Sequence, residues 1–107
     1  MEKHLMVLKE INDCLTQKFN NKIKNVVLFG SQVSGKNNPL SDYDILVVCN
    51  EQYDWRFKNE IINSCYPIDL KFDIITDVLL ISDYELNHTL RGSQPIFQNA
   101  LKNGIYA

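Results

Sequence analysis

Three short apolar runs rich in β-branched residues, separated by stretches of helical periodicity, predict a small α/β domain. The expected architecture is a short mixed sheet of about three core strands flanked by helices. At 107 residues the chain suits one domain and is too short for two full ones, so residues 1–107 are read as a single unit. Hydrophobic residues make up 45% and charged residues 22%, the balance of an ordinary globular domain. A core of this size is modest, which leaves apolar surface for a partner.

Residues 2–20 read as a helix, because Leu5, Leu8, Asn12, Leu15 and Phe19 recur at helical spacing and Val7 and Ile11 widen the stripe. Turn-formers at 20–25 interrupt it. Val26 to Gly30 is a buried strand closed by glycine, and Asp44 to Cys49 is a second. The segment between them is rich in Ser, Gly, Asn and Pro and reads as a loop with room for one helical turn after Ser31. From Gln52 to Phe72 the helical pattern returns through Phe57, Ile61, Ile62, Cys65 and Ile68, with Pro67 expected to bend or interrupt it. Ile74 to Ser82 forms the third strand. Ser82 and Glu85 have the spacing of a capping box for a following helix, and a last helix starts near Pro95 and stops at Gly104.

The formal net charge of −2 lacks the basic footprint of a nucleic-acid binder, so direct nucleic-acid contact is not expected. Cys14, Cys49 and Cys65 are odd in number and widely spaced, which suits buried thiols in a reducing compartment. The N-terminus has early acidic residues and no long apolar run, and no stretch approaches the roughly 20 residues of a membrane span. A cytoplasmic location is expected, without membrane attachment.

The informative segment is GSQVSGKNNPLSDYDILVV, Gly30 to Val48. Strand alternation sends Asp42 and Asp44 the same way and Tyr43 the other. Two adjacent carboxylates repel, and a charge opening an apolar strand is costly unless a cation is shared. Mg²⁺ fits, since it takes one or two carboxylates together with substrate phosphates. Gly30 permits close backbone approach to a phosphate, and Ser31 offers a hydroxyl and an N–H at a helix start. Taken singly, a Gly-Ser pair is most simply a turn and Ser-Asp-x-Asp a cap or solvated loop. Strand, Gly-Ser, ten residues, Asp-x-Asp and strand together describe a triphosphate held by backbone donors at one end and metal-bridged aspartates at the other.

These residues resemble the signature of the DNA polymerase β-like nucleotidyltransferase superfamily, and the chain is most similar to its minimal nucleotidyltransferases, small stand-alone domains. The resemblance covers most of the chain and is looser in the C-terminal half. It implies an enzyme that moves AMP from ATP to a hydroxyl acceptor with Mg²⁺. Asp42 and Asp44 would be metal ligands and catalytic residues, and Gly30 and Ser31 would bind the phosphates. It also implies a third acid on the next strand, sharing the metal site or acting as base. Asp77, within the apolar strand, is the candidate; Asp73, at the helix-to-strand junction, is the rival, and Asp69 lies too far back.

Members of this group often pair with a HEPN-domain protein as the antitoxin of a type VII-like toxin–antitoxin system. The implied acceptor is then a tyrosine of the toxin. Two alternatives stay open: a binding module that neutralises its partner by contact, and a drug-modifying nucleotidyltransferase, for which the chain ends early. Self-association is also left open. Lys36, Arg91, His4 and His88 carry weaker claims: Lys36 and Arg91 are most simply surface cations, and neither histidine has a partner at metal-ligand spacing.

Overall fold

The computed structural model describes residues 2–34 and 42–107. Gly35, Lys36 and Ser41 of the signature loop lie outside the described residues. The elements run α1 (Glu2–Phe19), a 3₁₀ turn (Asn20–Lys22), β1 (Ile23–Phe29), α2 (Ser31–Ser34), β2 (Tyr43–Cys49), α3 (Trp55–Phe72), β3 (Thr76–Ser82), α4 (Asp83–His88), α5 (Pro95–Asn103) and β4 (Ile105–Tyr106).

The sheet is mixed, in the order β3-β2-β1-β4. β1 is antiparallel to β2 and to β4, whereas β2 and β3 are parallel. A parallel neighbour needs a long crossover, and α3 supplies it. The fourth strand is an addition to the expected three. It pairs only Ile105 with Leu28 and Tyr106 with Val27, too short a run for a periodic signal.

Both faces of the sheet are covered. Val26, Leu28, Ile45, Val47 and Leu80 pack with Val7, Leu8, Ile11 and Leu15 of α1 and Ile61, Cys65 and Ile68 of α3. Val27, Leu46, Val48 and Ile81 pack on the other face with Phe97 and Ala100 of α5. The stripes are narrower than the sequence suggests: Leu5 and Ile62 face outward and are exposed. His4, not Leu5, completes the buried edge of α1. α3 runs through Pro67 without a break, because Ile61, Cys65 and Ile68 bury its inner face on both sides of the missing N–H.

The capping box forms as expected, with Ser82 accepting from the Glu85 N–H and the Glu85 carboxylate returning to the Ser82 N–H. All three cysteines are free thiols, and burial pushes Cys49 up to about 11 and Cys65 up to about 12. Among the described residues no helix is long and apolar enough to cross a membrane.

Leu46 lies at the centre of β2 and is fully buried between β1, β3 and α5. Leu46→Ala should therefore cost about 2–5 kcal/mol, read as a lower urea midpoint with an unchanged denaturant slope.

Candidate active site

The site lies where the C-terminal end of β1 meets the N-terminal ends of β2 and β3. In register, Asp44 stands opposite Phe29 of β1 on one side and Asp77 of β3 on the other. Asp44 and Asp77 are thus cross-strand neighbours on the face that carries Leu46, Leu79 and Ile81, the α5 face. Asp42 precedes β2 and is exposed, as is Asp77, while Asp44 is half-buried.

The structure sets Asp77 beside Asp44 and keeps Asp73 away. Asp73 closes α3 as its left-handed cap, φ 55°, with its N–H bonded to the Asp69 carbonyl. Asp69 has a structural task of its own, its carboxylate accepting from the Thr76 hydroxyl at 2.9 Å and from the Thr76 N–H.

Gly30 closes β1 at φ 81°, a conformation that favours glycine. A Cβ here would lie 2.1 Å from Asp44 Oδ2, so only glycine lets the turn lie against the carboxylate. α2 then begins at Ser31, and the Val33 N–H donates to the Gly30 carbonyl at 3.0 Å. Two contacts fix this turn from behind. His4 Nε2 and Gln32 Oε1 are 2.7 Å apart in a buried hydrogen bond, and the His4 ring stacks on Tyr43 at 5.2 Å. One histidine therefore ties α1 to both sides of the signature. The sequence marks His4 only as a non-ligand, because its partners lie 28 and 39 positions away.

Arg91 differs from the surface cation expected. It is half-buried, donating to the Leu80 carbonyl at 2.9 Å, to the Tyr53 hydroxyl at 3.0 Å and to the Glu85 carboxylate at 3.1 Å. Its place is structural, at the end of the sheet remote from Asp44.

The Asp44 carboxyl is raised above its ordinary range, first by desolvation at the head of the strand, then by the negative charges of Asp77 and Asp42. A cation between these groups would relieve both causes. Among the described residues no three His, Cys, Asp or Glu side chains are already closed into a ligand cluster. The donor set suits Mg²⁺ nonetheless, an ion bound by one or two carboxylates with substrate phosphates completing its shell.

The family model for polymerase β nucleotidyltransferases matches residues 9–105. The chain belongs to that nucleotidyltransferase family. The enzyme class expected from the signature is that of the family. "Putative protein adenylyltransferase MJ0604" of Methanocaldococcus jannaschii is 29% identical over 97 residues, covering 91% of this chain and 90% of that protein. Among solved structures, a toxin–antitoxin with AMP-PNP superposes with a TM-score of 0.56 at 21% identity, covering 92% of this chain and 70% of that one. A tri-AMPylated Shewanella oneidensis HEPN toxin in complex with MNT antitoxin gives 0.55 at 19% identity, covering 96% and 70%. These likenesses show the nucleotidyltransferase fold.

Two outcomes follow from the geometry. A raised carboxyl favours the protonated native state, so wild-type stability should fall as pH rises from the ordinary 3.8 through the raised Asp44 value. Asp44→Asn should lack that part of the profile and be the more stable protein above it, as read by thermal melts across pH. Gly30→Ala should cost at least about 1–3 kcal/mol from the left-handed backbone alone. It should also displace the Asp44 carboxylate, so its melting temperature should drop below that of wild type.

Proposed function

We propose that this protein transfers AMP from ATP to a hydroxyl group of a partner protein, and that the partner is a HEPN-domain toxin modified on tyrosine. The observation that carries the reading is the juxtaposition of Asp77 with Asp44, directly against the Gly30-Ser31 turn. Support for the donor comes from the fold shared with a toxin–antitoxin that holds AMP-PNP. Support for the acceptor comes from the fold shared with the MNT antitoxin of a tri-AMPylated HEPN toxin. MJ0604 points the same way.

Asp42 and Asp44 would hold Mg²⁺, with Asp77 completing a second metal position or acting as base. When bound, the ion would neutralise phosphate charge as pyrophosphate departs. Gly30 and Ser31 would fix the β- and γ-phosphates through backbone N–H groups and the Ser31 hydroxyl. The acceptor oxygen would attack the α-phosphorus in line as the bond to the bridging oxygen of pyrophosphate breaks, and in its role as base Asp77 would take the hydroxyl proton.

The acceptor has an open approach. β3 is an edge strand, Asp77 is exposed near its start, and Ile75 just before it is 64% exposed. The acidic balance of the chain suits a basic, RNA-cleaving partner better than RNA itself.

The test is transfer of labelled AMP to a co-expressed HEPN protein. Asp77→Asn should keep ATP binding and lose at least about a hundredfold in transfer, the low end for loss of a general base. Asp73→Asn should transfer at nearly the wild-type rate. Equal transfer by Asp77→Asn and wild type would remove Asp77 from the mechanism. A doubly substituted Asp42→Asn, Asp44→Asn protein that still protects cells as well as wild type would replace transfer by neutralisation through contact.

A further inference from the structure

A cleft of about 640 Å³ opens between the β1–α2 turn and helix α5. Resting on the nucleotidyl-transfer reading above, we propose that this cleft takes the base of the nucleotide donor, and that Asn99 and Asn103 of α5 select adenine there.

Position comes first. Gly30 lines the cleft and also lies against Asp44, so the cleft borders the carboxylates directly. α5 covers the sheet face on which Asp44 and Asp77 stand. A phosphate chain held at the Gly30 turn therefore has this cleft as its neighbour. Its volume falls within the roughly 300–1,000 Å³ of small-molecule sites.

The chemistry of the walls is that of a base pocket. Phe29 and Val33 face it from the β1–α2 side, and Ile96 and Ala100 from α5. These apolar groups suit the two faces of a flat heterocycle. Ile96 is 47% exposed, an isoleucine at the head of a helix that a bound base would cover. Ile96, Asn99, Ala100 and Asn103 recur at i, i+3, i+4 and i+7, so all four present to the cleft from one face of α5.

Asn99 and Asn103 are the polar side chains on that face. No charged side chain lines the cleft among the described residues, so recognition there proceeds through neutral hydrogen bonds. A carboxamide offers one donor and one acceptor side by side, the complement of the adenine N6 amino group and N7. Guanine presents two acceptors at the same edge and satisfies only the donor half. Pyrimidines present no N7.

Calorimetry with Mg²⁺ and ATP, GTP, CTP or inorganic tripolyphosphate separates the base contribution from the phosphate contribution. Wild type should bind ATP on the order of tenfold or more tighter than GTP, CTP or tripolyphosphate. A combined Asn99→Leu, Asn103→Leu variant should lose that preference while binding tripolyphosphate as wild type does. Because both asparagines are exposed, the substitutions do not disturb the core, and retained tripolyphosphate binding reports the fold directly. Unchanged selectivity in the variant would overturn the assignment. Wild type binding ATP no more tightly than tripolyphosphate would also overturn it, leaving the carboxylate reading intact. Binding of neither ATP nor tripolyphosphate would overturn both.

Discussion

The parallel pairing of β2 with β3 governs this molecule. It aligns Asp44 with Asp77 residue for residue and concentrates negative charge at one end of the sheet. Like charges at neighbouring strand positions destabilise a sheet, and desolvation at the strand head adds to the cost for Asp44. The arrangement persists because each strand continues into fully buried residues: Ile45 to Val48 on β2, Leu80 and Ile81 on β3. Burial of those side chains stabilises by more than the carboxylates cost, since a fully buried aliphatic side chain contributes about 1.5–3 kcal/mol. The fold thus holds an unfavourable electrostatic arrangement at the heads of β2 and β3.

The signature turn is held on two sides. In front, Gly30 lies so close to Asp44 that no side chain fits between them. Behind, His4 joins Gln32 of α2 and stacks on Tyr43 of β2, so the residue between the two aspartates is anchored in the α1-facing core. Tyr43 is buried and points away from its acidic neighbours, which is what strand alternation requires. His4 therefore ties both the turn and the head of β2 to α1.

At the opposite end of the sheet, Arg91 performs the equivalent task for the C-terminal segment. It bridges the Leu80 carbonyl, the Tyr53 hydroxyl and Glu85, the residue that also closes the capping box of α4. This anchors the start of the 89–94 connection, from which α5 runs back along the sheet face toward Gly30. α5 ends at Gly104 against Val27 and Leu28, fixing its last turn beside the end of β1.

Local geometry made much of this legible in the sequence. The helices, the three main strands and the capping box all follow from periods of 3.6 and 2 and from spacings of a few residues. Gly30, Ser31 and the Asp-x-Asp pair lie within one fifteen-residue stretch, so their conjunction was visible before any fold was known. The choice between Asp77 and Asp73 as neighbour of Asp44 was not, because it depends on where α3 ends and on the register in which β3 joins β2. Neither is encoded by a nearby residue. The same holds for the His4–Gln32 bond, the place of Arg91, the two-residue β4 and the cleft between α5 and the signature turn. Sequence by itself determined which side chains share a strand or helix face, because backbone periodicity is local. Only the tertiary structure decided which faces meet, because register and packing are set by contacts between segments tens of residues apart.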